Sequence, residues 1–242
     1  GEPLICVPVV EQDAQSVIRE ITYLSQSTAD MIEWRVDAFR DFTDYNAIRS
    51  VFEAVAPLLG EKLFLYTFRT AHQGGMAQVK AEQLDDLHDL AAESGCVDLV
   101  DLEFFEEDRP LHKIKRLREM GVSVIASHHD FEQTPSPEVM KMLLEKMCAG
   151  GADIVKLAVM PQNYKDVLNL LDVTAQFREE NPDTPVITMS MGSLGGISRI
   201  SGETFGSCVT FGAHEKPSAP GQFAMKELRQ MLDTIHASSQ IQ

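Results

Sequence analysis

A single lysine interrupts an apolar segment and gives the strongest chemical signal in this sequence. Lys156 lies in segment 153–160, DIVKLAVM, whose composition is otherwise that of a buried strand. In apolar surroundings an ammonium group loses hydration, so its pKa falls and the neutral amine forms more readily. A neutral amine can attack a ketone or aldehyde and form a Schiff base. Lys156 is therefore a candidate nucleophile. The alternatives are a buried lysine paired with a carboxylate, and a side chain that extends out of the strand end.

Two adjacent histidines end the preceding apolar segment, VSVIASHH at 122–129. Neighbouring side chains on a strand point to opposite faces. The apolar face should contact helices and the mixed face should point inward, which places His129 inside and His128 outside. Two side chains that diverge in this way cannot easily bind one ion, and we predict no metal site. His129 is a candidate general acid and base near neutral pH; the alternative is a structural, hydrogen-bonded histidine.

Three arginines follow other apolar segments and could bind an anionic substrate. Arg35, Arg69 and Arg199 could hold a carboxylate through paired hydrogen bonds. The alternative is ion pairing with neighbouring acids, namely Glu33, Asp37 and Glu103. The glycine-containing loop 193–202 could instead hold a phosphate. Taken together, the lysine, the histidine and the arginines indicate an imine-forming lyase or aldolase that acts on a small acid bearing a ketone.

The elements that must position these residues form a regular alternation. Eight short segments rich in Val, Ile and aromatic residues alternate with amphipathic stretches of helical spacing. This pattern predicts an α/β fold, a (β/α)8 TIM barrel formed by a single domain over residues 1–242, with an open doubly wound sheet as the alternative. The predicted strands are 4–10, 31–37, 62–69, 97–103, 122–129, 153–160, 185–191 and 207–213. In such a barrel the functional side chains lie at the carboxyl ends of the strands, where the candidates above fall.

The composition limits the possible partners and the compartment. The 242 residues include 21 basic and 37 acidic side chains, a formal charge of −16, which argues against a nucleic-acid partner. No apolar run approaches the roughly 18 residues of a membrane span, and no signal peptide is expected. The four cysteines form no CxxC pair, which favours a reduced cytoplasmic protein.

Six motifs cover nearly the whole chain: EWRVD (33–37), FRT…GG (68–75), SHHDF (127–131), KLAVMPQ (156–162), ITMSMGSLGGISR (187–199) and FGA…PSAPGQ (211–222). In sequence and in order they resemble one known family, the type I 3-dehydroquinate dehydratases. The resemblance implies a shikimate-pathway lyase that converts 3-dehydroquinate to 3-dehydroshikimate. It also implies a cytoplasmic homodimer with no metal or organic cofactor.

The resemblance assigns roles residue by residue. It implies that Lys156 forms the imine and that His129 transfers the protons. Arg199 would bind the substrate carboxylate, while Glu33, Arg35 and Arg69 would bind its hydroxyl groups. Ser218 and Gln222 would lie on the loop that covers the substrate, and Phe131, Met189 and Met191 would form apolar walls. Gln73, Asp101 and Glu103 would lie in the walls or support the residues that bind substrate.

Two departures from the family pattern matter. The family commonly has Glu where this chain has Gln73, and that Glu is expected to hydrogen-bond the catalytic histidine. A neutral amide cannot stabilise an imidazolium as a carboxylate does. We therefore expect reduced but nonzero activity, and Gln73→Glu should change the rate and its pH profile. The family also usually has a short hairpin before the first strand, and part of it is expected to be missing here.

Two other hypotheses remain open from the sequence. The lone strand lysine also fits another Schiff-base barrel enzyme, such as a class I aldolase or a transaldolase. Gln73 is the only feature that favours a weakly active or non-catalytic ligand-binding relative.

Overall fold

Parallel strands form a curled sheet with helices around it. The computed structural model describes residues 1–241. Its strands are β1 (Leu4–Val9), β2 (Met31–Arg35), β3 (Leu63–Thr67), β4 (Leu99–Glu103), β5 (Ser123–Asp130), β6 (Ile154–Val159), β7 (Val186–Ser190), β8 (Val209–Ala213) and β9 (Phe223–Ala224). The order is β7-β6-β5-β4-β3-β2-β1-β8-β9, and every pairing is parallel. A bridge between Val186 and Ser207 joins β7 to the start of β8. The predicted α/β barrel is confirmed, rather than the open doubly wound sheet.

The helices follow the strands in the predicted alternation. They are α1 (Ala14–Ser25), α2 (Tyr45–Val55), α3 (Ala81–Glu93), α4 (Pro110–Glu119), α5 (Pro137–Ala149), α6 (Tyr164–Glu180), the one-turn α7 (Gly202–Phe205) and α8 (Met225–Ser239). Side chains at Asp13, Asp44, Ser136 and Asn163 accept hydrogen bonds from the first turns of α1, α2, α5 and α6, which fixes where those helices begin. None of the helices in residues 1–241 is long and apolar enough to cross a membrane.

Sequence periodicity alone did not identify α4. Half of its ten residues are charged, and only Lys113, Ile114 and Leu117 are buried. The apolar stripe therefore has only two members, too few to stand out in a periodic pattern.

Two strands end two residues before their predicted segments. The predicted strand 31–37 stops at Arg35 and continues as a 3-10 turn, Val36–Ala38. The predicted strand 62–69 stops at Thr67. Both departures arise where the carboxylate of Asp37 accepts backbone N–H bonds from Arg69 (3.1 Å) and Met76 (3.0 Å). These bonds replace strand pairing and turn the chain over the barrel end.

Side chains alternate between two apolar cores. Outward residues such as Ile32 and Trp34 pack against the helices in the larger core. Inward residues fill the barrel and include Cys6, Met31, Leu65, Leu99, Ile125, Ile187, Val209 and Phe211. Because the interior is packed near one end of the barrel, inward polar side chains collect at the other end.

Candidate active site

A cleft opens at the carboxyl ends of the strands. Its lining is Glu33, Arg35, Arg69, Gly74, His129, Phe131, Lys156, Ala158, Met189, Met191, Phe211, Ser218, Ala219 and Gln222. The structure therefore brings most of the predicted site residues together. Four predicted residues do not line the cleft: Gln73, Asp101, Glu103 and Arg199. Each of the four contacts a residue that does.

Lys156 points inward from β6 and is only 4% exposed. Its Nζ lies 4.2 Å from the ring centroid of Phe211 and 4.0 Å from Oδ2 of Asp101. Burial lowers the pKa of Lys156 below its ordinary value; Asp101 opposes this shift, and Arg69 adds to it. The lysine therefore combines access to the cleft with an environment that favours the neutral amine.

Arg69 is engaged by carboxylates on the neighbouring strand. Its two terminal nitrogens each lie 2.9 Å from an oxygen of Asp101, and one of them is 3.0 Å from Glu103. The Ser127 hydroxyl donates to Asp101 at 2.7 Å. The guanidinium beside Asp101 holds the pKa of that carboxyl below its ordinary value although burial opposes this. Arg69 therefore forms one of the ion pairs that the sequence left as an alternative, with Glu103, and a second with Asp101, which was not among the acids named there.

Arg35 is paired in the same way. Its Nε and one terminal nitrogen donate to the two oxygens of Asp37, each at 2.8 Å. Arg35 and Arg69 nevertheless line the cleft, so their remaining N–H groups can still face a ligand.

Arg199 differs from the other two arginines. It is 2% exposed, and one terminal nitrogen donates to the carbonyl of Pro220 at 2.8 Å, while the other lies 4.0 Å from the sulfur of Met189. Within residues 1–241, no carboxylate forms an ion pair with it, and its Nε has no hydrogen-bond partner. Burial lowers the pKa of Arg199 to about 10. A buried, unpaired guanidinium behind the cleft wall is suited to an anionic ligand.

His129 lies at the end of β5, on the cleft side, and His128 points outward against the ring of Phe105, as predicted. Burial and the nearby cations Arg69 and Lys156 hold the pKa of His129 well below its ordinary value. Its ring stacks on Phe131 at an interplanar angle of 14°. A neutral imidazole of this kind can accept a proton.

Position 73 contacts the main chain of His129 rather than its ring. The Oε1 atom of Gln73 accepts the backbone N–H of His129 at 2.7 Å. The ring nitrogen Nδ1 of His129 is buried, with no hydrogen-bond partner in the described part of the chain. The bond expected from the sequence, between residue 73 and the imidazole, is therefore not present.

A loop after β8 covers one side of the cleft. Within it, the amide of Gln222 bonds both the backbone N–H and the hydroxyl of Ser218, at 2.9 and 3.0 Å. The carbonyl of Pro220 accepts the N–H of Gly192 at 3.1 Å, which ties this loop to the loop after β7.

The loop suggested for phosphate, 193–202, uses its polar groups internally. The Ser198 hydroxyl bonds the backbone of Ser190 and the carbonyl of Gly195. The loop therefore serves chiefly to position Arg199, which lies at the end of its 3-10 turn, Gly196–Arg199.

Sequence reasoning missed several residues of the site. Thr67 donates to Glu33 at 2.8 Å. Ser127 donates to Asp101, and the ring of Phe211 contacts the amine of Lys156. The signal that could have identified Phe211 is strand alternation, which places it inward on β8. Alternation also places Thr67 and Ser127 inward, but it does not identify their partners, which lie on other strands.

The whole chain is similar to proteins of known name. The type I 3-dehydroquinase family model matches residues 5–239. Two curated relatives are both named 3-dehydroquinate dehydratase. The protein from Syntrophotalea carbinolica is 42% identical to this chain and the one from Listeria monocytogenes serotype 4a is 43% identical, each over 98% of this chain and 94% of the relative.

Solved structures show the same likeness. Type I 3-dehydroquinate dehydratase from Clostridium difficile, solved with covalently modified comenic acid, superposes with a TM-score of 0.94 at 39% identity, over 98% of this chain and 94% of that one. The 3-dehydroquinate dehydratase from Geobacillus kaustophilus gives a TM-score of 0.94 at 35% identity, over 98% and 92%. The chain belongs to the type I 3-dehydroquinase family.

Proposed function

We propose that this protein dehydrates 3-dehydroquinate to 3-dehydroshikimate through a Schiff base on Lys156. The observation that carries the proposal is a buried lysine with a lowered pKa that shares one cleft with a neutral histidine. A relative at 39% identity that holds a covalently modified organic acid supports covalent chemistry in this fold.

The proposed reaction divides the dehydration into easier steps. The amine of Lys156 adds to the ring ketone and water leaves, which forms the imine. The protonated imine withdraws electrons and acidifies the neighbouring C–H, whose proton passes to His129. The electron pair then expels the hydroxyl group at the next carbon, and His129 returns its proton to that oxygen. Hydrolysis of the imine releases the product and restores Lys156, so that one water is lost overall.

The remaining site residues bind and enclose the substrate. Arg199 holds the carboxylate, because its guanidinium has no counterion of its own in residues 1–241. Glu33, Arg35 and Arg69 bind hydroxyl groups, and Asp101 and Glu103 hold Arg69 in place. Apolar walls come from Phe131, Met189 and Met191, and Ser218 and Gln222 lie on the covering loop. That loop excludes water when it closes.

The cellular setting follows from the same assignment. We propose a shikimate-pathway enzyme of the cytoplasm, built as one domain over residues 1–242 and active as a homodimer. The imine itself withdraws the electrons, so the proposed reaction uses no metal or organic cofactor. The charge of −16 argues against a nucleic-acid partner, and no membrane association is proposed.

Borohydride trapping tests the proposal directly. The protein is incubated with 3-dehydroquinate, reduced, weighed intact and digested to map the modified peptide, with Lys156→Met as the control. We expect a dehydrated adduct on Lys156 and none on the variant. An adduct heavier by one water would show that the imine forms but elimination is slow.

A negative result is also informative. The Listeria monocytogenes relative is treated in parallel as a positive control. If that protein is trapped and this one is not, the Schiff-base proposal is wrong and a non-catalytic ligand-binding role replaces it. Trapping by ketose phosphates, without turnover of 3-dehydroquinate, would indicate an aldolase-like or transaldolase-like enzyme instead.

A further inference from the structure

A chain of two hydrogen bonds links an exposed acid to the main chain of His129. The amide nitrogen Nε2 of Gln73 donates to Oε1 of Glu106 at 3.0 Å. The amide oxygen of the same side chain accepts the backbone N–H of His129 at 2.7 Å. Gln73 is buried, whereas the side chain of Glu106 is 36% exposed. The three residues come from three successive strand ends, those of β3, β4 and β5.

The chemistry of the two outer groups fixes the direction of the amide between them. A backbone N–H can only donate and a carboxylate can only accept. Gln73 satisfies both when its oxygen faces His129 and its nitrogen faces Glu106. If the amide flipped, it would place a donor against the N–H and an acceptor against the carboxylate. Glu106 therefore selects the amide orientation that places an acceptor at His129.

This bond holds the edge of β5 that β4 no longer covers. β5 pairs with β6 as far as Asp130 but with β4 only as far as Ser127. The ring nitrogen Nδ1 of His129 has no partner within residues 1–241, so the ring is placed by this main chain and by the stacked ring of Phe131. Phe131 in turn rests on the residue that follows Gln73. A side chain at Gly74 would lie 2.2 Å from that ring, and its φ of +85° also favours glycine. The segment that carries Gln73 thus contacts the histidine and its stacking partner together.

We propose that Glu106 is a positioning residue for His129 that acts through Gln73, so that residues 73 and 106 form a matched amide–carboxylate pair. The inference rests on the proposed function, because it concerns how the proton-transfer group is held. It predicts that a glutamate at 73 is tolerated only when 106 is not an acid. With Glu106 present, Gln73→Glu would bring two carboxylates to within about a hydrogen-bond length, where like charges repel.

Five proteins test the pairing: the unsubstituted chain, Glu106→Ala, Glu106→Gln, Gln73→Glu and the double variant Gln73→Glu/Glu106→Gln. Glu106→Ala removes the acceptor of the Gln73 amide, and Gln73→Glu opposes two carboxylates, so we expect each to lower kcat by about tenfold with KM changed less than about twofold. Glu106→Gln keeps an amide oxygen that can still accept from Gln73, so its kcat should fall by less. The double variant exchanges the partners. Its amide at position 106 can donate to the carboxylate at position 73, and that carboxylate still accepts the backbone N–H of His129. We therefore expect its kcat to return to within about threefold of the natural value.

The controls separate positioning from general effects. Asp108→Asn removes a charge from the same loop, but that residue pairs with Lys113 at 3.4 Å, so kcat should not change. Thermal melting shows whether each variant is folded at the assay temperature. The pH profile of kcat is a further readout: Gln73→Glu in the double variant places a carboxylate beside His129 and should move the acidic limb to higher pH.

Several outcomes would overturn the inference. It is wrong if Glu106→Ala keeps the kcat of the unsubstituted chain, or if the double variant is no faster than Gln73→Glu. It is also wrong if Asp108→Asn loses as much activity as Glu106→Ala. Borohydride trapping in parallel distinguishes these failures from failure of the proposed function. If the function is wrong, the natural chain itself shows neither trapping on Lys156 nor turnover.

Discussion

Arg69 holds both carboxylate oxygens of Asp101, at 2.9 Å each, directly beside the amine of Lys156. The lysine is left at 4.0 Å from the same carboxylate. Most of the acid's hydrogen-bonding capacity is therefore used by the arginine and by Ser127, and the lysine shares this carboxylate only at the longer distance. This arrangement keeps Asp101 ionised while it lets burial lower the pKa of Lys156.

Asp101→Asn should weaken the fold and lower the pKa of Lys156 further. The carboxylate of Asp101 favours the ammonium form of Lys156. Without that carboxylate the amine becomes neutral at a lower pH. Arg69 keeps Glu103 as a partner, and we expect the free energy of unfolding to fall by about 3 kcal/mol. Urea unfolding measures the stability, and acetylation of Lys156 followed by mass spectrometry across pH measures the pKa. Ser127→Ala, which removes a neutral bond to the same acid, is the control. A raised lysine pKa would contradict the argument.

The same substitution at two arginines should change stability in opposite directions. Arg199→Met removes a buried cation that has no ion-pair partner in residues 1–241, so the free energy of unfolding should rise by about 1–2 kcal/mol. Arg69→Met removes the arginine that both Asp101 and Glu103 contact, and it should lower the free energy of unfolding by about 3–5 kcal/mol. Arg199→Met should also reduce kcat/KM for 3-dehydroquinate by roughly 10–150-fold, through loss of a charged hydrogen bond.

Chemical denaturation and steady-state kinetics on both variants check this pair of predictions. If Arg199→Met destabilises the protein as much as Arg69→Met does, the guanidinium is structural rather than reserved for a substrate carboxylate.

Local patterns in the sequence predicted the strands, the faces of the strand side chains and the charged cleft residues Arg35, Arg69, His129 and Lys156. The family resemblance supplied Phe131, Met189, Met191, Ser218 and Gln222. The alternation that places His129 inward and His128 outward depends only on backbone geometry. Pairing among the charged groups depends instead on which strands are neighbours. Arg69 meets Asp101 because β3 lies beside β4, and the sequence offered several other acids as equal candidates. The contact between Gln73 and the main chain of His129 brings the segment after β3 to the end of β5, and Glu106 joins it from the segment after β4. No local pattern predicts contacts between segments so far apart in the sequence.

The histidine in the cleft should titrate well below its ordinary range. Burial, Arg69 and Lys156 all disfavour the imidazolium, so His129 should remain neutral until the pH is well below about 6.5. Proton NMR of the imidazole signals across pH measures this, and the His129→Asn variant assigns the resonance. A midpoint at or above about 6.5 would show that a nearby anion stabilises the charged ring. The Gln73→Glu/Glu106→Gln variant should raise the midpoint, because it places a carboxylate against this residue.

A glycine in the covering loop should affect substrate binding when it is replaced. Gly221 has a φ of +81°, and a side chain there would lie 2.4 Å from the carbonyl oxygen of Gly192. Gly221→Ala should therefore separate the two loops, loosen the contact between Pro220 and Arg199, and raise KM by about tenfold, which is 1.4 kcal/mol. Gly60→Ala is the matched control, with a φ of +57° and open space around it. It should cost about 1 kcal/mol of stability and leave the kinetics unchanged. Equal KM values for the two variants would exclude a role for the loop contact.

A buried histidine outside the cleft should make stability depend on pH. His88 is 3% exposed, packs edge-on against Tyr66, and burial lowers its pKa to about 4. Asp85 and Asp101 oppose this shift, and Lys113 adds to it. The unfolded chain binds a proton at this residue below about pH 6.5 and the folded chain only near pH 4. Stability therefore falls as the pH drops through that interval, by about 3 kcal/mol in all, and levels off below it.

His88→Phe should remove this loss while it keeps the ring contact with Tyr66. Guanidinium unfolding at pH 7 should give similar free energies for the two proteins, because the histidine is neutral in both states. At pH 4.5 the variant should be the more stable by about 2–3 kcal/mol. Other groups, including His129, titrate in the same interval but are common to both proteins, so the difference isolates His88. Parallel stability curves between pH 7 and 4.5 would mean that His88 becomes charged in the folded protein as readily as in the unfolded chain.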